Sequence, residues 1–295
     1  KVMRSNVCPT VKISSDCADP YDCPLEDGCW GFLPSSSVFD LSRGGKKSFQ
    51  LYEDGILELK DIPSEFKLSD KQGIQHQCEI NGKVHVNKEE IEKFLNTLKG
   101  ELYYLDFETF RSAVPILDGT KPYQQIPFQW SLHVNDKHYE FLGSKLDCRL
   151  EFLKALKEVL GSSGTIVTYN QSFEIGRLRE LGLVFPEYKD WVEGVVSRVV
   201  DLIVPFRQFH YYNLKQKGSA SLKKVLPAIV GKDYSHLEIS DGDTASLLFV
   251  KMLNGGEDVR DDLLKYCELD TEGMIWIVEA LRELVKWLNL DMMLI

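Results

Sequence analysis

Leu102-Tyr103-Tyr104-Leu105-Asp106-Phe107-Glu108-Thr109 is the stretch that decides the fold. An apolar and aromatic run leads into two carboxylates one residue apart, the pattern of a buried strand whose end carries polar groups. Residues i and i+2 of a strand share a face, so Asp106 and Glu108 are expected to point into one cleft. Hard cations such as Mg²⁺ or Mn²⁺ favour such oxygen ligands. Asp106 is the natural bridging ligand of a pair of ions.

Two further acids recur downstream in a compatible setting. Thr165-Ile166-Val167-Thr168-Tyr169 reads as a second strand, and Asn170-Gln171-Ser172-Phe173 as a loop opening a helix that begins near Glu174. From Asp261 to Trp287 the apolar residues follow a helical period, with acids in the first turn where the dipole favours them. Tyr266 and Asp270 are i and i+4 and share a face of that helix. Asp201 follows the apolar Val199-Val200 and is a secondary candidate ligand.

Taken in order, these motifs resemble the DEDD exonuclease family of the RNase H-like superfamily, in its tyrosine-bearing branch. The resemblance implies an α/β fold: an RNase H-like mixed sheet flanked by helices. It implies that Asp106, Glu108, Glu174 and Asp270 hold two Mg²⁺ or Mn²⁺ ions, that Tyr266 orients the attacking water, and that Asp201 is accessory. The branch using histidine places it one residue upstream, where this chain has Lys265. Glu174 departs from the aspartate usual after that Phe, which lengthens the ligand by a methylene. A D-x-E pair or a Y-x-x-x-D alone is commonplace on solvated surfaces; the weight lies in their order and flanking strands.

Before the sheet, Cys8, Cys17, Cys23 and Cys29 fall close together in a turn-rich segment with little apolar content. Such a segment cannot build its own core and is expected to be cross-linked. In a secreted chain that would be disulfides; beside an intracellular nuclease it would be a thiolate metal site. The Cys23-x5-Cys29-Trp30 ending resembles the iron–sulfur clasp of RecB-type nucleases, implying a 4Fe–4S cluster or Zn²⁺.

A broader likeness is to a bacterial family in which a RecB-like nuclease, its clasp and a DEDD domain follow one another. It is carried by Leu105–Phe110, Pro122–Gln129, Lys217–Lys223 and Tyr266-Cys267. The expected division is a cysteine-rich metal-binding clasp over 1–33, a helical linker region over 34–98 and the exonuclease domain over 99–295. The resemblance implies an upstream RecB-like domain, which would explain a start on Lys1 that otherwise suggests a processed chain or a piece of a longer one.

Composition sets outer bounds. The net charge of −10 argues against electrostatic coating of duplex nucleic acid but suits an acidic metal site. A basic, aromatic stretch from Phe206 to Lys217 offers Tyr211, Lys215 and Lys217 for stacking bases and holding phosphates. Its aromatics read equally well as core and its lysines as a solvated loop. Tyr123 and Gln124 sit in a turn-rich loop where a terminal nucleotide would lie. No apolar run reaches membrane-spanning length, and cytoplasm is the default location. The expected function is a metal-dependent 3′→5′ exonuclease on DNA single strands or ends. RNA as substrate, or a non-catalytic nucleic-acid-binding module, are the alternatives.

Overall fold

β1 (Leu102–Phe110), the strand carrying the first acids, lies at the centre of a five-stranded sheet. The computed structural model describes residues 12–19, 23–24 and 26–293. Its other strands are β2 (Ile126–Val134), β3 (Lys137–Leu142), β4 (Thr165–Thr168) and β5 (Val199–Asp201), in the order β3-β2-β1-β4-β5. β2 is antiparallel to β1 and to β3, whereas β4 runs parallel to β1 and β5 parallel to β4. This is the mixed sheet flanked by helices that the RNase H-like resemblance implies.

Local chemistry explains the strand joints. Val134 pairs with Lys137, so Asn135 and Asp136 close the β2–β3 hairpin in two residues. Asn135 adopts φ 53°, a left-handed conformation that Asn tolerates and a tight hairpin needs. The β1–β2 ladder slips between Glu108 and Thr109, where Thr109 meets Pro127. Proline has no N–H to donate, and the resulting bulge bends the ladder beside Glu108.

The period of β1 divides the molecule around it. Tyr103, Leu105 and Phe107 join Trp130, Leu132 and Ile166 in a buried cluster with residues of α2 (Arg149–Val159), α3 (Ser172–Val184) and α4 (Lys189–Val196). Tyr104, Asp106 and Glu108 therefore face the opposite side. That side is covered by α7 (Arg260–Met293) and α6 (Gly242–Leu253), reached through α5 (Leu222–Ile229). Phe128 stacks on Phe249 of α6 at 3.9 Å between centroids, with Phe110 alongside. The amphipathic helix α1 (Lys88–Leu95), capped by Asn87, packs against α7 and so belongs with the sheet, although its sequence position fell in the expected linker.

The chain divides into two compact units. One comprises 87–211 and 220–295; the other comprises the residues up to Val86 with 212–219. The second unit has its own small core of Val38, Leu41, Leu51, Leu59 and Ile62. Its helix Lys46–Glu53 starts after Gly45, which takes φ 48°. A further helix, Asp70–Asn81, carries Gln75, which is buried while bonding Asp40 O at 2.9 Å and Ser42 N at 2.8 Å. Cys17, Cys23 and Cys29 carry free thiols here, and Cys8 lies outside the described residues. Among the described residues, these sulfurs do not converge within 4.8 Å of one another.

Candidate active site

The acids foreseen on β1 and α7 meet. Asp106 and Glu108 project from β1 toward α7, which presents Asp270 to them. Carboxylate oxygens from Asp106, Glu108 and Asp270 lie within 4.8 Å of one another. Glu174, in the first turn of α3, lines the same pocket of about 300 Å³, together with Tyr266, Lys223, Phe173 and Asn170. Its position follows from the sharp exit of β4. Asn170 takes φ 73°, and its amide donates to Asp201 Oδ1 at 2.8 Å, turning the chain into the helix.

Electrostatics are unbalanced in a way that invites cations. Burial raises the carboxyls of Asp106, Glu108 and Glu174 well above the usual range, and neighbouring negative charges push them further. Burial also lifts Asp270 to about 6, against the opposing pull of Tyr234 and Lys223. Lys223, from α5, is the cation lining the pocket; its ammonium lies 5.3 Å from the Tyr266 ring centroid and 5.7 Å from that of Tyr234. One ammonium does not balance this many carboxylates. Glu174 Oε2 is moreover buried with no hydrogen-bond partner. An orphaned carboxylate oxygen in an all-oxygen donor set fits hard divalent ions.

Several further residues border the site. Tyr234, from the segment between α5 and α6, donates its hydroxyl to Asp270 Oδ1 at 2.5 Å and is buried. Cys267, one residue after Tyr266, places Sγ 3.6 Å from Asp106 Oδ2. Arg111, Gln125 and Phe173 line an adjoining pocket that reaches Glu108 from its other side, and Arg177 donates to Gln125. Tyr234 stands far from the acids along the chain, and neither strand nor helix period marks it.

The remaining expected site residues fall elsewhere. Asp201, at the end of β5, is spent on the backbone amides of Asn170 and Ile203, with Arg207 at 3.9 Å. It shapes the loop that delivers Glu174. Tyr123 is exposed at φ 59°, and Gln124 caps its own turn through Lys121 N at 3.0 Å. Tyr211, expected to offer a stacking face, is instead buried: its ring packs on Phe206 and its hydroxyl reaches Ala228 O at 3.5 Å. The core reading of that aromatic stretch holds at Tyr211. Lys215 and Lys217 belong to the other unit.

A fold with this sheet order and an acidic pocket at the β1–α7 junction defines a class: an α/β protein with a carboxylate centre suited to divalent metal. The family profile described as Domain of unknown function (DUF2779) matches residues 103–221. "Uncharacterized protein MG366" of Mycoplasma genitalium is 34% identical over 231 residues, covering 66% of this chain and 34% of that protein. "Uncharacterized protein UU173" of Ureaplasma parvum is 26% identical over 239 residues, 70% of this chain and 34% of that protein. The chain thus spans about a third of the length of the curated relatives it matches. Among solved structures, the Aedes aegypti Nibbler EXO domain aligns at TM-score 0.41 and 15% identity, over 69% of this chain and 88% of that one.

Proposed function

We propose that this chain is a metal-dependent exonuclease of the DEDD type, hydrolysing phosphodiester bonds of DNA from the 3′ end of single strands or frayed ends. The observation that carries the proposal is the convergence of Asp106, Glu108 and Asp270 in one pocket with the unpartnered oxygen of Glu174 and the hydroxyl of Tyr266. Asp106, Glu108, Glu174 and Asp270 would hold two Mg²⁺ or Mn²⁺ ions. Bound there, such ions supply Lewis acidity to the attacking and leaving oxygens.

The side chains do the rest. Tyr266 directs a water with its hydroxyl. Tyr234 fixes Asp270 in its ionised form, and Lys223 sets the pocket's positive limit. Arg111 and Gln125 supply contacts for the terminal nucleotide. Lys215 and Lys217 would hold phosphates on their own unit. The N-terminal thiols, including Cys8, would hold a 4Fe–4S cluster or Zn²⁺, and a RecB-like domain would precede this chain in a cytoplasmic enzyme. No described helix is long and apolar enough to cross a membrane.

The test is cleavage of end-labelled single- and double-stranded DNA and RNA with Mg²⁺ or Mn²⁺, wild type beside Asp106→Ala. Mononucleotide release from DNA by the wild type alone supports the proposal. Release from RNA alone would change the substrate and keep the chemistry. Binding without any release would replace the enzyme by a nucleic-acid-holding module.

A further inference from the structure

The face of the sheet that carries Asp106 also holds a second group of metal-ligand side chains. His133 on β2 and His138 on β3 are directly opposed across the hairpin, their rings stacked at 4.4 Å. Glu268 reaches them from α7, and one ligand atom from each of the three lies within 4.8 Å of the other two. His138 Nδ1 faces Glu268 Oε1 at 3.4 Å.

The hydrogen bonds behind these rings have a defined direction. Thr271 Oγ1 donates to the Glu268 carbonyl at 2.9 Å, so it accepts from His133 Nδ1 at 2.8 Å and from Ser131 Oγ at 2.8 Å. Ser131, having given its proton to Thr271, accepts from His138 Nε2 at 2.9 Å. The hydroxyl pair ends on a backbone carbonyl, which fixes both tautomers: N–H on Nδ1 of His133 and on Nε2 of His138. The lone pairs left over are Nε2 of His133 and Nδ1 of His138, and the latter is aimed at a carboxylate. Two acceptors facing each other require a cation or an extra proton between them. Histidine ligands that hold a metal through one nitrogen and donate the other to a second group have this arrangement. Burial, with His138 beside it, holds His133 down to about 4, so its ring is a neutral ligand.

We propose that His133, His138 and Glu268 bind a divalent transition-metal ion, with Zn²⁺ the best-suited species, at a site separate from the carboxylate pocket. Two imidazoles and one carboxylate match its preferred donors, and the half-exposed Glu268 leaves a coordination position to water. The ion would pin α7 to the β2–β3 hairpin. Because Tyr266 and Asp270 flank Glu268 on α7, it would also stiffen the helix that completes the pocket.

The test titrates Co²⁺ and Zn²⁺ into the full chain carrying Asp106→Asn, which disables the carboxylate pocket. The same chain carries Cys8→Ser, Cys17→Ser, Cys23→Ser and Cys29→Ser, so that N-terminal thiols cannot compete. The proposal expects one equivalent of Co²⁺ with d–d absorption, no thiolate charge-transfer band, and displacement by Zn²⁺. Ser131→Ala keeps every ligand but removes the partner orienting His138, and should weaken binding about 10–100-fold. Glu268→Gln and His133→Gln should weaken it at least as much, with far-UV circular dichroism of each metal-free variant checked against the parent. Failure of the parent to bind an equivalent, or equal binding by folded Ser131→Ala and Glu268→Gln, would overturn the site. Neither result bears on nuclease activity, which is read separately with Asp106 intact.

Discussion

Replacing Asp270 by Asn should make the metal-free chain more stable above neutral pH while abolishing its response to Mg²⁺. The Asp270 carboxyl rises from 3.8 to about 6, chiefly through burial. A carboxyl whose folded pKa exceeds its unfolded one favours the fold while protonated. That advantage is fully present below the unfolded value and is lost as pH rises through the folded one. Here the window runs from 3.8 to about 6. A difference of about 2 units corresponds to about 3 kcal/mol at ~1.36 kcal/mol per unit.

Asparagine keeps an oxygen for the Tyr234 hydroxyl, which donates to Asp270 Oδ1 at 2.5 Å. It also relieves Asp106 and Glu108, whose carboxyls the Asp270 charge pushes up. At about 2–4 °C per kcal/mol for a domain of roughly this size, the melting midpoint should rise by about 6–12 °C. Thermal unfolding in EDTA from about pH 4 to about pH 8 measures this, and the gap between variant and wild type should open across that range. Saturating Mg²⁺, at about 100 times its Kd, should then add about 2.7 kcal/mol to the wild type and nothing to Asp270→Asn. A variant no more stable than wild type at the alkaline end, or a gap indifferent to pH, would refute the reasoning that the pocket is an uncompensated acid cluster.

Tyr234→Phe removes the hydroxyl that holds Asp270 ionised. The Mg²⁺ concentration giving half-maximal cleavage should rise about 10–100-fold, with kcat at saturating metal nearly intact. Tyr266→Phe should do the reverse, lowering kcat by about 10²-fold, the scale of a misplaced nucleophile, while leaving Mg²⁺ affinity unchanged in calorimetry. In the core, Phe249 is fully buried and stacked on Phe128 with 11° between planes. Phe249→Ala should cost about 3–5 kcal/mol in denaturant unfolding, and a loss under 1 kcal/mol would mean that α6 is not clamped to β1 as described.

The parts of this molecule that the sequence displayed are those whose constraint is local and periodic. Asp106 and Glu108 share a face because a strand repeats every two residues, and Tyr266 and Asp270 because a helix returns after four. The Asn135-Asp136 hairpin is of the same local kind, set by turn chemistry. Helix Asp70–Asn81 was not, because Gln72 and Gln75 are buried polar residues satisfied by a distant backbone rather than an apolar stripe. Of the cysteine-rich segment, Cys17, Cys23 and Cys29 do not meet in one group among the described residues, and Cys8 lies outside them. Tyr234 and Lys223 serve the acids across space, and Lys223 becomes the counter-charge of the pocket only once α5 is placed.

The same contrast explains Asp201 and Tyr211, whose residue types suggested chemistry. Asp201 accepts two backbone amides and so turns β4 into the helix that carries Glu174. Its charge acts on the site by raising Glu174, without joining the group formed by Asp106, Glu108 and Asp270. A carboxylate whose oxygen is already taken by two amides is a weaker metal ligand than one left bare, and Glu174 is the bare one. The extra methylene that sets Glu174 apart from the usual aspartate therefore ends in an oxygen with no other partner. That is the condition under which a longer ligand still serves.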